Sequence, residues 1–88
     1  MVSKEVTILN ATGLHARPAS MFVQEAGKYK SEISIIKGDK KINAKSIMGI
    51  MAGGLSKDTV ISIEADGEDE QAALDALVGL VSNKFGEE

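Results

Sequence analysis

Eighty-eight residues, 43% hydrophobic and 26% charged, suit one globular domain, because two separate cores would each be too small to hold together. With no Cys, no Trp, one Tyr and two Phe, the core cannot lean on disulfides or aromatic packing and must be aliphatic. A net charge of −3 argues against direct nucleic-acid binding, and the lack of a long apolar run or apolar leader points to a soluble cytoplasmic protein without membrane insertion.

In chain order, Val6 and Ile8 alternate with Glu5 and Thr7, which predicts a half-buried strand ended by the turn cluster Asn10-Ala11-Thr12-Gly13. From Ala16 the period changes. Ala19, Phe22, Val23 and Ala26 fall on one face of a helix, with Gly27 placed for a left-handed C-terminal stop. Ile33 and Ile35 mark a second strand, Gly38-Asp39 a two-residue hairpin turn, and Ile42 a short third strand. Ser46 then stands where an N-cap is wanted, before the brief apolar helix Ile47-Met48-Gly49-Ile50-Met51. Core packing is expected there for Ile47 and Ile50. Ile61, Ile63 and Ala65 share one face of a fourth strand. Leu74, Leu77, Val78, Val81 and Phe85 then form the stripe of a long amphipathic helix, with the acidic run Asp66 to Glu70 at its start and Lys84 near its end.

The predicted order is β-α-β-β-α-β-α. Each strand alternates rather than running continuously apolar, which describes an antiparallel sheet covered on one face only, an α+β fold. Periodicity does not give the strand order. Charge is uneven: residues 1–57 carry a net +5 and residues 58–88 a net −8. Such a division steers a partner to one end of the molecule, unless the charges are simply solvated.

The chain's only His, only Arg and only Pro lie together in Gly13-Leu14-His15-Ala16-Arg17-Pro18. His15 falls at a helix N-cap position, and Pro18 fits the first turn, where its missing N–H removes no intrahelical bond. The first N–H groups of a helix have no intrahelical acceptor and, with the helix dipole, favour an anion beside them. The same field disfavours a positive imidazolium and so favours a neutral, nucleophilic ring. A phosphoryl group on that ring would meet the N–H groups of Ala16 and Arg17, and the Arg17 guanidinium could add a charge-assisted contact. A lone histidine at a helix start also serves commonly as a plain surface or capping residue. With one His and no Cys, no metal site is expected. Ser46 is an N-cap, or a phosphorylation site at which a helix N-terminus tolerates the added charge. Exposed members of Ile47, Met48, Ile50 and Met51 would form a soft patch suited to several partners.

Gly13-Leu14-His15-Ala16-Arg17-Pro18-Ala19 resembles the active-site signature of the HPr family, the histidine-containing phosphocarriers of the phosphoenolpyruvate-dependent sugar phosphotransferase system. Asn43-Ala44-Lys45-Ser46-Ile47-Met48-Gly49-Ile50-Met51 resembles the family's serine-phosphorylation segment, of the Gram-positive type. The resemblance spans essentially the whole chain. It implies an open-faced β-sandwich with a four-stranded antiparallel sheet in the order 1-4-2-3 and three helices on one face. His15 would take phosphate on Nδ1 from phosphorylated Enzyme I and pass it to the IIA component of a sugar permease, with Arg17 orienting the phosphate. Ser46 would be phosphorylated by the ATP-dependent HPr kinase/phosphorylase, and the product would act as corepressor for catabolite control protein A.

By the same resemblance the partner-binding residues are Thr12, Arg17, Ser20, Lys45, Ser46, Ile47, Met48 and Met51. No cofactor is implied, and a monomer is the default. Ala52-Gly53-Gly54 stands where a more apolar run is expected, which weakens the expected regulator contact rather than phosphotransfer. Two other functions compete. One is a regulatory binding module acting through Ser46 and the Met48/Met51 surface alone; the family's corepressor-only relative lacks the active histidine, which is present here as His15. The other is a small histidine-dependent phosphatase, for which no general acid stands beside His15 in the sequence.

Overall fold

A computed structural model describes residues 1–86. Glu87 and Glu88, counted above in the acidic part of the chain, lie outside the described residues. The elements are β1 (Val2–Thr7), α1 (Ala16–Ala26), β2 (Glu32–Lys37), β3 (Lys40–Asn43), α2 (Ile47–Ala52), β4 (Val60–Asp66) and α3 (Glu70–Ser82), followed by a 3-10 turn over Lys84–Gly86. The strands form one sheet in the order β1-β4-β2-β3, antiparallel throughout. The last strand in sequence therefore inserts between the first two, and only β2 and β3 are joined by a tight hairpin.

Register explains the single covered face. Ile33 pairs with Ala65, Ile35 with both Ile63 and Ile42, and Val6 with Ile61, so these side chains line one side. Ser34, Ser62, Glu64 and Lys41 alternate onto the other. The three helices cover the apolar side, with Phe22 from α1, Ile50 from α2 and Leu77 from α3 fully buried against it. Burying each such side chain contributes roughly 1.5–3 kcal/mol. None of the helices among the described residues is long and apolar enough to cross a membrane.

Four expectations are corrected. Gly27 is not left-handed: its φ is −66°, and the chain keeps turning through bonds from Gly27 to Val23, Lys28 to Glu25 and Tyr29 to Ala26. Continued turning satisfies the last carbonyls without a reversal. The terminal helix stops at Ser82, short of Phe85. Lys84 and Phe85 take φ values of 54° and 55°, and this left-handed pair folds the Phe85 ring back into the core, so Lys84 does not sit in the last helical turn.

The acidic run does not cap α3 as expected either. Asp69 holds the N-cap position, but its carboxylate reaches across the fold and accepts from the N–H groups of Lys30 and Ser31 and from the Ser31 hydroxyl. Those donors, the hydroxyl foremost, hold Asp69 below the usual aspartate range. Glu70 instead accepts from the Gly67 N–H at 3.1 Å, which lowers its own protonation tendency in the same way.

Finally, Ile47 is 39% exposed, whereas Ile50 is fully buried. At about 100° per residue, Ile47, Met51 and Met48 fall within a single arc of α2, and Ile50 points off to one side of it. One helix of six residues can turn only a narrow stripe inward, and Ile50 takes it.

Candidate functional site

The turn from β1 into α1 is braced from beneath. Asn10 is fully buried, and its Nδ2 donates to the Gly13 carbonyl at 2.6 Å, while the Gly13 N–H donates back to the Asn10 carbonyl at 3.0 Å. Gly13 has a φ of 65°, and a Cβ there would lie 2.5 Å from the Leu55 carbonyl oxygen and 2.7 Å from Ser56 Cα. Next to it the buried Leu14 donates its N–H to the Leu55 carbonyl at 2.7 Å. The segment is thus pressed against the chain that follows α2, and the next residue is delivered to the surface.

That residue is His15. It is exposed and forms the N-cap of α1 with extended backbone angles of −78° and −167°, and its side chain makes no capping bond. Its carbonyl accepts the Ala19 N–H at 2.9 Å, which starts the helical ladder. Ala16 and Arg17 precede that bond, so helix geometry gives their N–H groups no intrahelical acceptor. Pro18, buried in the first turn, has no N–H to leave over. No acidic side chain occupies this turn, and Arg17, also exposed, brings the positive charge. An anion carried on the imidazole would find hydrogen-bond donors, the positive pole of an eleven-residue helix and a guanidinium together. Thr12 is exposed just before this site; Ser20 is half-buried one turn beyond, where its Oγ lies 3.5 Å from the donor Gln24 Nε2.

The second cluster is built at α2. The Asn43 Oδ1 accepts the Lys45 N–H at 2.9 Å and the Asn43 carbonyl accepts the Ser46 N–H at 3.1 Å, which turns the chain out of β3. Ser46 is the N-cap, half-buried, with Oγ accepting the Gly49 N–H at 3.1 Å. Lys45 Nζ donates to the Tyr29 carbonyl at 2.8 Å. At the other end, Lys37 Nζ donates to the carbonyls of Gly53 and Gly54 at 3.2 and 2.9 Å. A cation there meets the negative pole of α2. Ile47, Met48 and Met51 stand out of this helix, Met48 with 79% of its surface exposed. The two helices that these sites begin, α1 and α2, pack against each other.

Sequence reasoning located His15, Arg17 and Ser46 but missed what holds them. Asn10 carried a local signal, because asparagine in a turn cluster commonly bonds backbone nearby. The Lys37 clasp on α2 and the Leu14–Leu55 bond join segments far apart in sequence and left no periodic trace.

Residues 2–83 match the family described as "PTS HPr component phosphorylation site". The chain is 45% identical over 87 residues to phosphocarrier protein HPr of Neisseria meningitidis, covering 99% of this chain and 98% of that protein. It is 46% identical over 84 residues to the HPr-like protein Crh of Bacillus subtilis, covering 96% and 99%. The crystal structure of HPr-C-His from Thermoanaerobacter tengcongensis superposes with a TM-score of 0.97 at 53% identity, covering 100% of this chain and 99% of that one. The relatives include both Gram-negative and Gram-positive bacteria, so similarity alone does not select the Gram-positive type. Matched over nearly its whole length in sequence and in fold, the chain belongs to the HPr family.

Proposed function

We propose that His15 is the phosphoryl acceptor through which this protein relays phosphate from phosphorylated Enzyme I to the IIA components of sugar permeases. The observation that supports this most is the exposed imidazole at the N-cap of α1, with Arg17 in the first turn and no acidic side chain there to compete. In the transfer, the Nδ1 lone pair of His15 attacks the phosphorus held by Enzyme I. A P–N bond forms as the donor bond breaks, and the donor keeps the electron pair. The N–H groups of Ala16 and Arg17 and the Arg17 guanidinium bind the phosphoryl oxygens. Transfer to IIA runs the same exchange outward. The protein accelerates nothing alone, since each partner supplies half of each reaction.

Ser46 adds regulation of the Gram-positive type. Ser46 is half-buried at the start of the helix that carries the exposed methionines, where the ATP-dependent HPr kinase/phosphorylase would act on it. The phosphorylated form acts as corepressor of catabolite control protein A, contacted through Lys45, Ile47, Met48 and Met51. Thr12, Arg17 and Ser20 extend the partner footprint onto α1. A dianion at Ser46 adds negative charge to the side from which Enzyme I and IIA approach, and so slows transfer at His15.

The test is incubation with Enzyme I and labelled phosphoenolpyruvate. Acid-labile, alkali-stable label that is lost in His15→Ala supports the assignment. No label on the intact protein refutes it. If His15→Ala instead leaves every activity unchanged while Ser46→Ala abolishes regulator binding, the protein is a regulatory module only.

A further inference from the structure

The sheet has two edges, β1 and β3, and on the β3 edge Lys40, Lys41 and Asn43 are exposed. In β3 the N–H groups that face β2 alternate along the strand. Lys40 closes the hairpin opposite Lys37, Ile42 sits opposite Ile35, and the series continues with the Ala44 N–H donating to Ile33 at 3.0 Å. By that alternation the N–H and carbonyl of Lys41 and the N–H of Asn43 point outward from the sheet. The Asn43 carbonyl is already used by Ser46.

A groove runs along each side of this strand. On the helix side, about 390 Å³ is bounded by the small and apolar groups of Ile42, Ser46, Gly49, Ala52 and Gly53 and, along the strand itself, by Lys40, Lys41 and Asn43. On the open sheet face, about 420 Å³ is bounded by Ser34, Lys41, Asn43 and Lys45, with Glu32 as its one acidic member. Lys40 and Lys41 are exposed, and neither makes an ion pair or side-chain hydrogen bond with another described residue.

We propose that the β3 edge is a strand-addition site for an extended acidic peptide segment of a partner protein, one that alternates acidic and apolar side chains. Alternation is what the two grooves require, since successive residues of an added strand point to opposite faces. Apolar side chains enter the small-residue groove over Ile42, and carboxylates meet Lys41 and Lys45 on the open face. The outward groups of Lys41 and Asn43 supply the backbone bonds, and the turn at Asn43 ends the pairing, so the docked segment is short. The same lysines decide against a second copy of this chain as occupant. Pairing β3 with another β3 would bring four lysines together, Lys40 and Lys41 from each chain, a common device against edge-to-edge association.

The test uses an acetylated, amidated Glu-Val-Glu-Val-Glu-Val peptide titrated into isotope-labelled full-length protein, followed by NMR shifts and amide hydrogen exchange. Binding should slow exchange at the Lys41 and Asn43 amides. The double variant Lys40→Glu, Lys41→Glu should bind about tenfold or more weakly. Lys41→Pro removes an outward donor without breaking a bond to β2 and should abolish the protection. Should this variant fail to fold, the double variant still decides. The proposal is overturned by equal binding of a Lys-Val-Lys-Val-Lys-Val peptide, by unchanged binding to the double variant, or by shifts confined to residues away from β3. Failure to detect any binding at millimolar peptide also overturns it.

Discussion

Replacing Gly13 with alanine asks whether the surface position of His15 depends on one missing methyl group. Two costs are expected. The left-handed backbone, at a φ of 65°, penalises any Cβ by about 1–2 kcal/mol. That Cβ would also sit 2.5 Å from the Leu55 carbonyl oxygen, which is backbone and cannot swing aside. Relief requires the loop to move outward, at about 1–3 kcal/mol for overpacking, and to stretch the Leu14–Leu55 hydrogen bond, worth about 1 kcal/mol. Gly38 supplies the control inside the same chain. Its φ is 59°, yet a Cβ there meets nothing within 4 Å, so Gly38→Ala carries the left-handed penalty alone. Any gain from a stiffer unfolded chain is shared by both variants and cancels in their difference. Thermal unfolding followed by circular dichroism should therefore place Gly13→Ala below Gly38→Ala by about 2–4 kcal/mol, or roughly 8–32 °C for a domain of this size. Phosphotransfer measured below both transitions should fall in Gly13→Ala and hold in Gly38→Ala. Equal melting temperatures for the two variants would refute the claim that Leu55 and Ser56 clamp this loop.

Two further outcomes are expected. Ile50→Ala should destabilise by about 2–5 kcal/mol in denaturant titration, whereas Ile47→Ala should cost under about 1 kcal/mol and act mainly by raising the KM for partner proteins; comparable stability losses would contradict the burial difference. Asp69 is held below its ordinary value of 3.8, foremost by the Ser31 hydroxyl and then by the Lys30 N–H. Its contribution is therefore complete above that pH and fades as the pH falls through the depressed folded value, so wild type should lose stability in acid while Asp69→Asn starts less stable and shows a flatter acid limb; parallel pH profiles would remove Asp69 from the account.

The elements were legible because each carries its own period. Ile33, Ile35, Ile61 and Ile63 alternate and are buried, while Ala19, Phe22 and Ala26 recur at helical spacing and are fully buried. The hairpin turn at Gly38-Asp39 and the caps at His15 and Ser46 were legible for the same reason, since a cap is a local bargain between one residue and the next turn. What failed was decided at a distance. Asp69 looks in sequence like the start of a helix cap, and only the folded chain offers it three donors from the far side. Phe85 continues the apolar spacing of α3, but two left-handed residues return it to the core by another route. Strand order belongs to the same class. It rests on which strand inserts beside which, and it was available only through resemblance to a family.

The division of labour at the site follows from what a carrier must do. A histidine phosphorylated by one protein and discharged by others cannot lie in a pocket, because each partner must reach the same nitrogen. Yet an exposed side chain has little to fix it. Here the fixing is moved one layer down, to Asn10, Gly13 and Leu14, which lock the preceding turn to Leu55. Leu55 directly follows the end of α2 that Lys37 clasps through the Gly53 and Gly54 carbonyls. The imidazole and the methionine face are thus referenced to the same stretch of backbone. On the proposed function, a partner docked on Met48 and Met51 meets His15 at an offset set by that backbone, and need not order the loop at the moment of transfer.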